Sequence, residues 1–234
     1  FLSPDRFRPM HLRSISFDQQ DLDFSLYLDK GDVRAPKQKD IRDTSRKVFE
    51  YFQVGLRLPN SLFWVNLRPD SPDEMIEPEL ERTDLGEVLL AADLQLKKDV
   101  ARFTSPDTDE GRQYWDRLYA RAEGLFGQEE VEIPTYTRPW IVPGEIIGKE
   151  AGTSAYIYKA TLKVMLEADY LANSTNSKNA ANYTFKDPRL KALNEYSSEL
   201  YRRIIIPKLT REVNSSKRYA DLRQVYYSLI MAQW

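Results

Sequence analysis

The chain of 234 residues contains no cysteine and only one histidine. Without cysteine it can form no disulfide, zinc–thiolate site, iron–sulfur cluster or cysteine nucleophile. A conventional Ser-His-acid triad needs a histidine as its base. The one histidine, His11, lies in a proline-flanked segment, where a surface or packing role is the usual one. Serine-hydrolase chemistry and histidine metal clusters are therefore not expected.

Glycine is also scarce, with nine residues in all. The sequence has no G-x-x-x-x-G-K-[ST], no G-x-G-x-x-G and no G-x-S-x-G, which argues against a Walker NTPase, a dinucleotide fold and a nucleophile elbow. No apolar run approaches the roughly 18 residues of a membrane helix. Lys and Arg number 34 against 36 Asp and Glu. We therefore expect no membrane insertion, no nucleic-acid binding and no cofactor, with calcium as the one exception considered below.

The residues that are present describe a globular chain. Hydrophobic residues make up 41% of it, enough for a sizeable core. The alternation of strand-like and helical patterns predicts an α+β fold, a small, mostly antiparallel sheet packed against several helices, with a helical C-terminal third. We expect a single α+β domain over residues 1–234, with residues 1–20 as an extended lead-in. The start at Phe1 and the helical pattern at the other end predict a piece excised from a longer chain.

Local patterns place the elements of the first half. The stretch "DLDFSLYLDKGD" alternates as a strand and turns at Gly31. Helical spacing follows from about residue 37 to residue 53, and Gly55 is expected to end that helix. The run "LFWVNL" has the composition of a buried strand. Asp84 with Glu87 three residues later predicts a capped helix start.

The second half is also punctuated. Gly127 is expected to end a helix within "SPDTDEGRQYWDRLYARAEGLFG", and a proline-interrupted strand near a sheet edge follows. A hairpin turning near Ala151 and Gly152 comes next, with the alternate residues from Tyr156 to Val164 on one face. Asp187-Pro188 opens the C-terminal helices, in which Pro207 should produce a kink.

Carboxylates are the chemistry that the composition leaves open. A glycosidase needs two of them, about 5 to 9 Å apart. Asp70, Asp93 and Glu145 lie at predicted element ends and are the catalytic candidates. Each is equally explained as a cap, a turn residue or a solvated charge.

An acidic segment offers a second possibility. Between Asp70 and Glu87 eight acids face one base, Arg82. Oxygen ligands of this kind suit Ca²⁺, with Asp70, Asp73 and Glu74 as candidate ligands. The D-x-D-x-D-G spacing is absent and prolines separate the carboxylates, so a solvated loop is the alternative.

Aromatic residues offer a third possibility. Trp64 and Trp140 are candidates for a ligand-binding groove, because sugars stack on aromatic faces; core packing is the alternative. Asn66 and Arg68 stand where the predicted strand ends, a common position for binding residues.

Charge is unevenly distributed along the chain. Residues 201 to 223 carry seven bases against two acids. This region could dock on the acidic segment, face a partner, or complement helix dipoles.

Three stretches carry a resemblance. They are "LFWVNLRPD…RTDLGEVLLAADLQLKKDVARFTSPDTDEGRQYWDRLY", "IPTYTRPWIVPGE…AYIYKATLKVMLEADYL" and "LNEYSSELYRRIIIPKLTREVNSSKRYADLRQVYYSLIMAQW". Together they resemble an uncharacterised conserved domain of large predicted proteins of uncultured bacteria. The resemblance implies a bacterial origin and no particular activity, and a secreted or envelope location fits it.

Three functions follow as hypotheses. The first is a non-catalytic structural, interaction or binding module of a larger bacterial protein, whose partners are the parent protein's other domains or a protein or carbohydrate ligand. The alternatives are a carboxylate-based hydrolase acting on a polysaccharide and a Ca²⁺-dependent surface module.

Overall fold

The structure, a computed structural model, describes residues 6–59, 76, 78–133, 138–173 and 185–233. Four strands form an antiparallel sheet in the order β2-β1-β4-β3. They are β1 (His11–Asp18), β2 (Asp23–Asp29), β3 (Pro139–Ala151) and β4 (Ser154–Leu166). The predicted α+β class and mostly antiparallel sheet are confirmed.

The helices surround this sheet in the chain order. They are α1 (Gln38–Gly55), α2 (Pro78–Glu81), α3 (Asp84–Thr104), α4 (Asp109–Phe126), α5 (Glu167–Asn173), α6 (Pro188–Leu200), α7 (Ile206–Ser215) and α8 (Ala220–Gln233). A π-helical turn, Tyr201–Ile205, joins α6 to α7, and a 3₁₀ turn, Lys217–Tyr219, precedes α8. The helical C-terminal third is therefore confirmed, and the described helices include none long and apolar enough to cross a membrane.

The segment predicted as a lead-in contains β1, which pairs with β2 on one side and with β4 on the other. Its pairing with β2 shifts register between Leu12 and Ser14, so Arg13 forms a bulge. Leu12 and Ile15 are both buried although they are three residues apart. The bulge breaks the alternation that would mark a strand in the sequence, which explains why this strand was not predicted.

Turns and edges follow their residue types. Gly31, after β2, and Gly152, between β3 and β4, both have positive φ, 58° and 60°. The prolines of β3 lie on an edge strand, as predicted. In β4, however, Ile157 is buried while Tyr158 is 52% exposed. The buried side changes between Ile157 and Leu162, so the face predicted from Tyr156 to Val164 is not continuous.

The chain forms two compact units. The first contains Phe1–Asp93, Ile141–Lys163 and Glu212–Trp234, and the second contains Leu94–Trp140 and Val164–Arg211. This division does not test the prediction of a single domain over residues 1–234, which stays a prediction.

In the first unit, α8 packs on β1 and on α1. Gly55, predicted as a helix terminator, is instead the last residue of α1, where a Cβ would lie 2.7 Å from the Cβ of Ala232. Its lack of a side chain therefore permits the close approach of α8. The start of α3 is capped by Thr83, whose Oγ1 accepts the N–H of Gly86 at 3.1 Å, rather than by the predicted Asp84.

In the second unit, α4 packs on α6 and on the π turn. Thr108 and Asp187 cap α4 and α6, and Gly127 follows α4 with a φ of 61°. The predicted distortion at Pro207 takes the form of the π turn just before it. Proline has no N–H and its ring clashes with the carbonyl four residues back, and the wider turn accommodates both.

One side chain of α7 completes the edge of β4 within the first unit. The amide of Asn214 accepts the N–H of Leu162 at 2.9 Å and donates to its C=O at 2.7 Å. A side-chain amide thus makes both hydrogen bonds that a neighbouring strand would make at that residue.

Candidate functional site

A cavity of about 280 Å³ lies within the first unit, beside β1 and α8. Its wall comes from residues 6–9, the turn after β2, β4, the end of α7, and α8. Its polar lining includes Arg6, Arg8, His11, Asp32, Arg223 and Tyr227. We call this cavity the arginine pocket, because three of these side chains are guanidinium groups.

Backbone hydrogen bonds hold the N-terminal wall of the arginine pocket. The N–H of Asp32 donates to the C=O of Arg8 at 2.8 Å, and the N–H of Arg8 donates to Oδ2 of Asp32 at 2.7 Å. On the other side, the N–H of Phe7 donates to the C=O of Ser215 at 2.9 Å. The segment that carries Arg6 and Arg8 is thereby fixed between the β2 turn and the end of α7.

Gly31 makes this arrangement possible. A Cβ at Gly31 would lie 2.2 Å from the carbonyl oxygen of Arg8 and 2.5 Å from that of Pro9. Both distances are too short for any side chain, and the positive φ favours glycine independently. The turn can therefore approach the pocket wall only with glycine at this position.

Arg223 is the most deeply placed cation of the arginine pocket, with only 6% of its surface exposed. Its Nη1 donates to the C=O of Val213 at 2.8 Å and its Nη2 to the C=O of Phe7. Among the described residues no carboxylate forms an ion pair with it. Burial lowers the pKa of Arg223 from 12.5 to about 10, although Tyr227 and Asp32 oppose this shift. It remains a cation at neutral pH, held by carbonyl dipoles.

His11, the only histidine, is buried at 1% exposure in β1. Because the carbonyl of Pro9 accepts from Nδ1 at 2.8 Å, Nδ1 carries the proton, and Nε2 has no partner among the described residues. Its ring lies 4.3 Å from that of Tyr227. Burial lowers the pKa of His11 below 6.5, so the imidazole is neutral at pH 7. The packing role expected for His11 agrees with this position.

The arginine pocket has an excess of positive charge. Arg6, Arg8 and Arg223 line it together with a single carboxylate, Asp32. The side chains of Arg8 and Asp32 are more than half exposed, and their closest charged atoms are 3.9 Å apart, which makes a weak ion pair. An anion entering the pocket would meet guanidinium groups, whose N–H donors match carboxylate and phosphate oxygens.

The structure describes only two of the three catalytic candidates. Glu145 is exposed on β3 and forms an ion pair with Lys159 on β4. Asp93 is half-buried on α3. Asp70 lies outside the described residues, as do Asp73, Glu74, Asn66, Arg68 and Trp64. The carboxylate pair expected of a hydrolase is thus not assembled from Glu145 by the residues described.

Trp140 is described, and it is 2% exposed. Its indole Nε1 donates to Oε2 of Glu167 at 2.9 Å, and the guanidinium of Arg138 lies 4.5 Å from its ring centre. The ring is therefore enclosed, and core packing, rather than ligand stacking, describes its role.

No group of three or more acidic or histidine side chains that could hold a metal ion occurs among the described residues. Most of the acidic segment from Asp70 lies outside them. The calcium hypothesis therefore stays a prediction.

Many bases of residues 201–223 have partners nearby. Arg202 pairs with Asp169, Lys208 pairs with Glu110, and the other two pairs within the region are Arg203–Glu199 and Arg218–Glu212. Arg223 differs from these four in being buried without a carboxylate partner among the residues described.

The sequence contained a signal for Arg223 that composition alone hides. It lies four residues after Tyr219 and three before Tyr226, both of them buried. An arginine at such positions belongs to the buried face of a helix, where an isolated cation requires compensation. Charge counting over residues 201–223 gave the same weight to this arginine as to its exposed neighbours.

Comparison of this chain with protein-family models, with curated proteins and with solved structures finds no match.

Proposed function

We propose that this protein is a non-catalytic binding module of a larger bacterial protein, and that it binds an anionic group in the arginine pocket. The observation that carries this proposal is the buried Arg223, which lines a cavity and has only carbonyl partners. A buried cation is stable when it is paired, and its own chain supplies no described carboxylate for pairing. An anion from outside would supply the missing charge.

The lining of the arginine pocket favours binding over catalysis. Its histidine is turned toward a carbonyl through Nδ1–H and is stacked on Tyr227, an arrangement that fixes it in place. Its one carboxylate, Asp32, accepts a backbone hydrogen bond from Arg8. A carboxylate-pair mechanism needs two acidic side chains, and one of them must have a raised pKa. The lining of the pocket contains a single carboxylate.

Binding of anions is tested by isothermal titration calorimetry and thermal shift at constant ionic strength. The panel consists of acetate, succinate, sulfate and inorganic phosphate. A bound anion stabilises the folded state by RT ln(1 + [L]/Kd), about 2.7 kcal/mol at one hundred times Kd. We expect at least one anion of the panel to raise the melting temperature of the wild type.

Two arginine variants locate the effect. Arg8→Gln removes a pocket charge but keeps the backbone hydrogen bonds between Arg8 and Asp32. Arg42→Gln, on the exposed part of α1, makes the same charge change outside the pocket lining. We expect Arg8→Gln to weaken anion binding severalfold and Arg42→Gln to leave it unchanged. The proposal is wrong if no anion of the panel binds, or if both variants weaken binding equally.

A further inference from the structure

We infer that the ligand of the arginine pocket is a small phosphate monoester, bound as its dianion; this inference rests on the proposed function and names the class of ligand. Three guanidinium groups and one carboxylate line the cavity, so two positive charges (three minus one) remain uncompensated. A monocarboxylate would compensate one of them. A phosphate monoester carries between about 1.5 and 2 negative charges at pH 7 and compensates nearly all of the excess.

The donors of Arg223 also fit a phosphate group. A guanidinium has five N–H donors, and two of those of Arg223 are used by the carbonyls of Val213 and Phe7. The remaining three (five minus two) have no acceptor among the described residues. Arginine donates pairs of parallel N–H bonds to phosphate oxygens, and a tetrahedral group offers several oxygens to arginines on different sides. Arg6 and Arg8 lie on the N-terminal segment, while Arg223 lies on α8.

The size of the cavity favours a small molecule. Its volume of about 280 Å³ is near the lower end of the range for small-molecule sites, about 300 to 1,000 Å³. It therefore has room for a phosphate and a short organic group. The apolar part of its lining comes from Phe7, Pro9 and Ala160, which suits a short carbon skeleton next to the phosphate.

The first measurement compares glycerol 3-phosphate with acetate, succinate and sulfate by isothermal titration calorimetry at pH 7.5. We expect glycerol 3-phosphate to bind at least tenfold more tightly than acetate, and more tightly than the dicarboxylate succinate. If acetate or succinate binds as tightly as glycerol 3-phosphate, the phosphate inference is overturned and the proposed anion-binding function stands. If no anion binds at all, the proposed function itself fails.

The charge of the ligand is tested through pH. The second pKa of a phosphate monoester is about 6, so the dianion falls to roughly a tenth of the total at pH 5. Sulfate remains a dianion and reports the effect of the protein's own groups near the pocket, which include His11, Asp29, Asp32, Arg13 and Tyr227. Relative to sulfate, the affinity for glycerol 3-phosphate should fall about tenfold from pH 7.5 to pH 5. An equal pH dependence for both ligands overturns the inference.

A variant tests the charge balance without removing an arginine. Asp32→Asn keeps an oxygen that can accept the N–H of Arg8 but removes the negative charge of the lining. It should strengthen the binding of glycerol 3-phosphate severalfold. Unchanged or weaker binding, with an unchanged melting temperature of the free protein, contradicts the charge-balance argument.

A lipid headgroup presents the same chemistry on a membrane surface. Sedimentation with vesicles of phosphatidylcholine containing phosphatidic acid distinguishes this source from a free phosphate monoester. We expect no more binding than to phosphatidylcholine alone. Binding to these vesicles without binding to glycerol 3-phosphate overturns the inference of a small-molecule ligand.

Discussion

Replacing Gly31 by alanine tests how the wall of the arginine pocket is built. The residue has a φ of 58°, and the left-handed conformation costs a residue with a Cβ about 1 to 2 kcal/mol. The new Cβ would also lie 2.2 Å from the carbonyl oxygen of Arg8, where at least 3.0 Å is needed. Moving a packed backbone segment aside adds about 1 to 3 kcal/mol. We therefore expect Gly31→Ala to lower the free energy of unfolding by about 3 kcal/mol.

Gly152→Ala is the matched control. Gly152 has nearly the same φ, 60°, and lies in the same unit, but no atom lies within 4 Å of its Cβ position. It should lose only the conformational part, about 1 kcal/mol. Urea denaturation of both variants, followed by circular dichroism, measures the difference directly.

Anion binding provides a second readout for this pair. The shift of Arg8 that an alanine at Gly31 requires would disturb the hydrogen bond from Asp32 to Arg8, so Gly31→Ala should also weaken anion binding. Gly152→Ala should not. Equal losses of stability in the two variants would show that the close approach of Gly31 to Arg8 and Pro9 does not exist in solution.

Three further predictions concern buried polar groups. Asn214→Ala should cost about 2 kcal/mol in urea denaturation, because both backbone groups of Leu162 lose their partner. His11 has a folded pKa below its unfolded value of 6.5, so the unfolded state takes up a proton first and stability falls as pH drops below 6.5; His11→Phe should flatten the urea midpoint between about pH 5 and 7 relative to the wild type. Tyr201→Phe should leave the melting temperature unchanged or raise it, since its buried hydroxyl has no partner among the described residues, whereas Tyr114→Phe should lower it by the loss of one hydrogen bond; the opposite order would contradict the assignment of these hydroxyls.

Much of the fold was predictable because local sequence determines it. The hairpin of β3 and β4 is signalled by alternation on both sides of Gly152, and α4 by its apolar spacing and Gly127. The strand β1 was missed because the bulge at Arg13 places Leu12 and Ile15 on the same side. A broken alternation in a proline-flanked segment resembles irregular chain.

The arginine pocket was not predictable from local patterns. Its charged lining residues, Arg8, Asp32 and Arg223 among them, are separated by up to two hundred positions in the chain and meet only through the pairing of β1 with β2 and the packing of α8 on β1. Sequence reasoning concentrated on clusters of acids, which are visible as runs of letters. A single arginine on the apolar face of α8 is a weaker signal, and its significance depends on burial.

The hydrogen bonds of Asn214 have a consequence for production of this protein. Asn214, Ser215 and Ser216 form an N-glycosylation acceptor sequence. In the folded chain the nitrogen that would carry the glycan, Nδ2, lies 2.7 Å from the carbonyl oxygen of Leu162 and donates to it. A glycan added there during secretion from a eukaryotic cell would occupy the position of β4 at Leu162. Material made in such a host is therefore correctly folded only where this acceptor has escaped modification, and bacterial expression avoids the conflict.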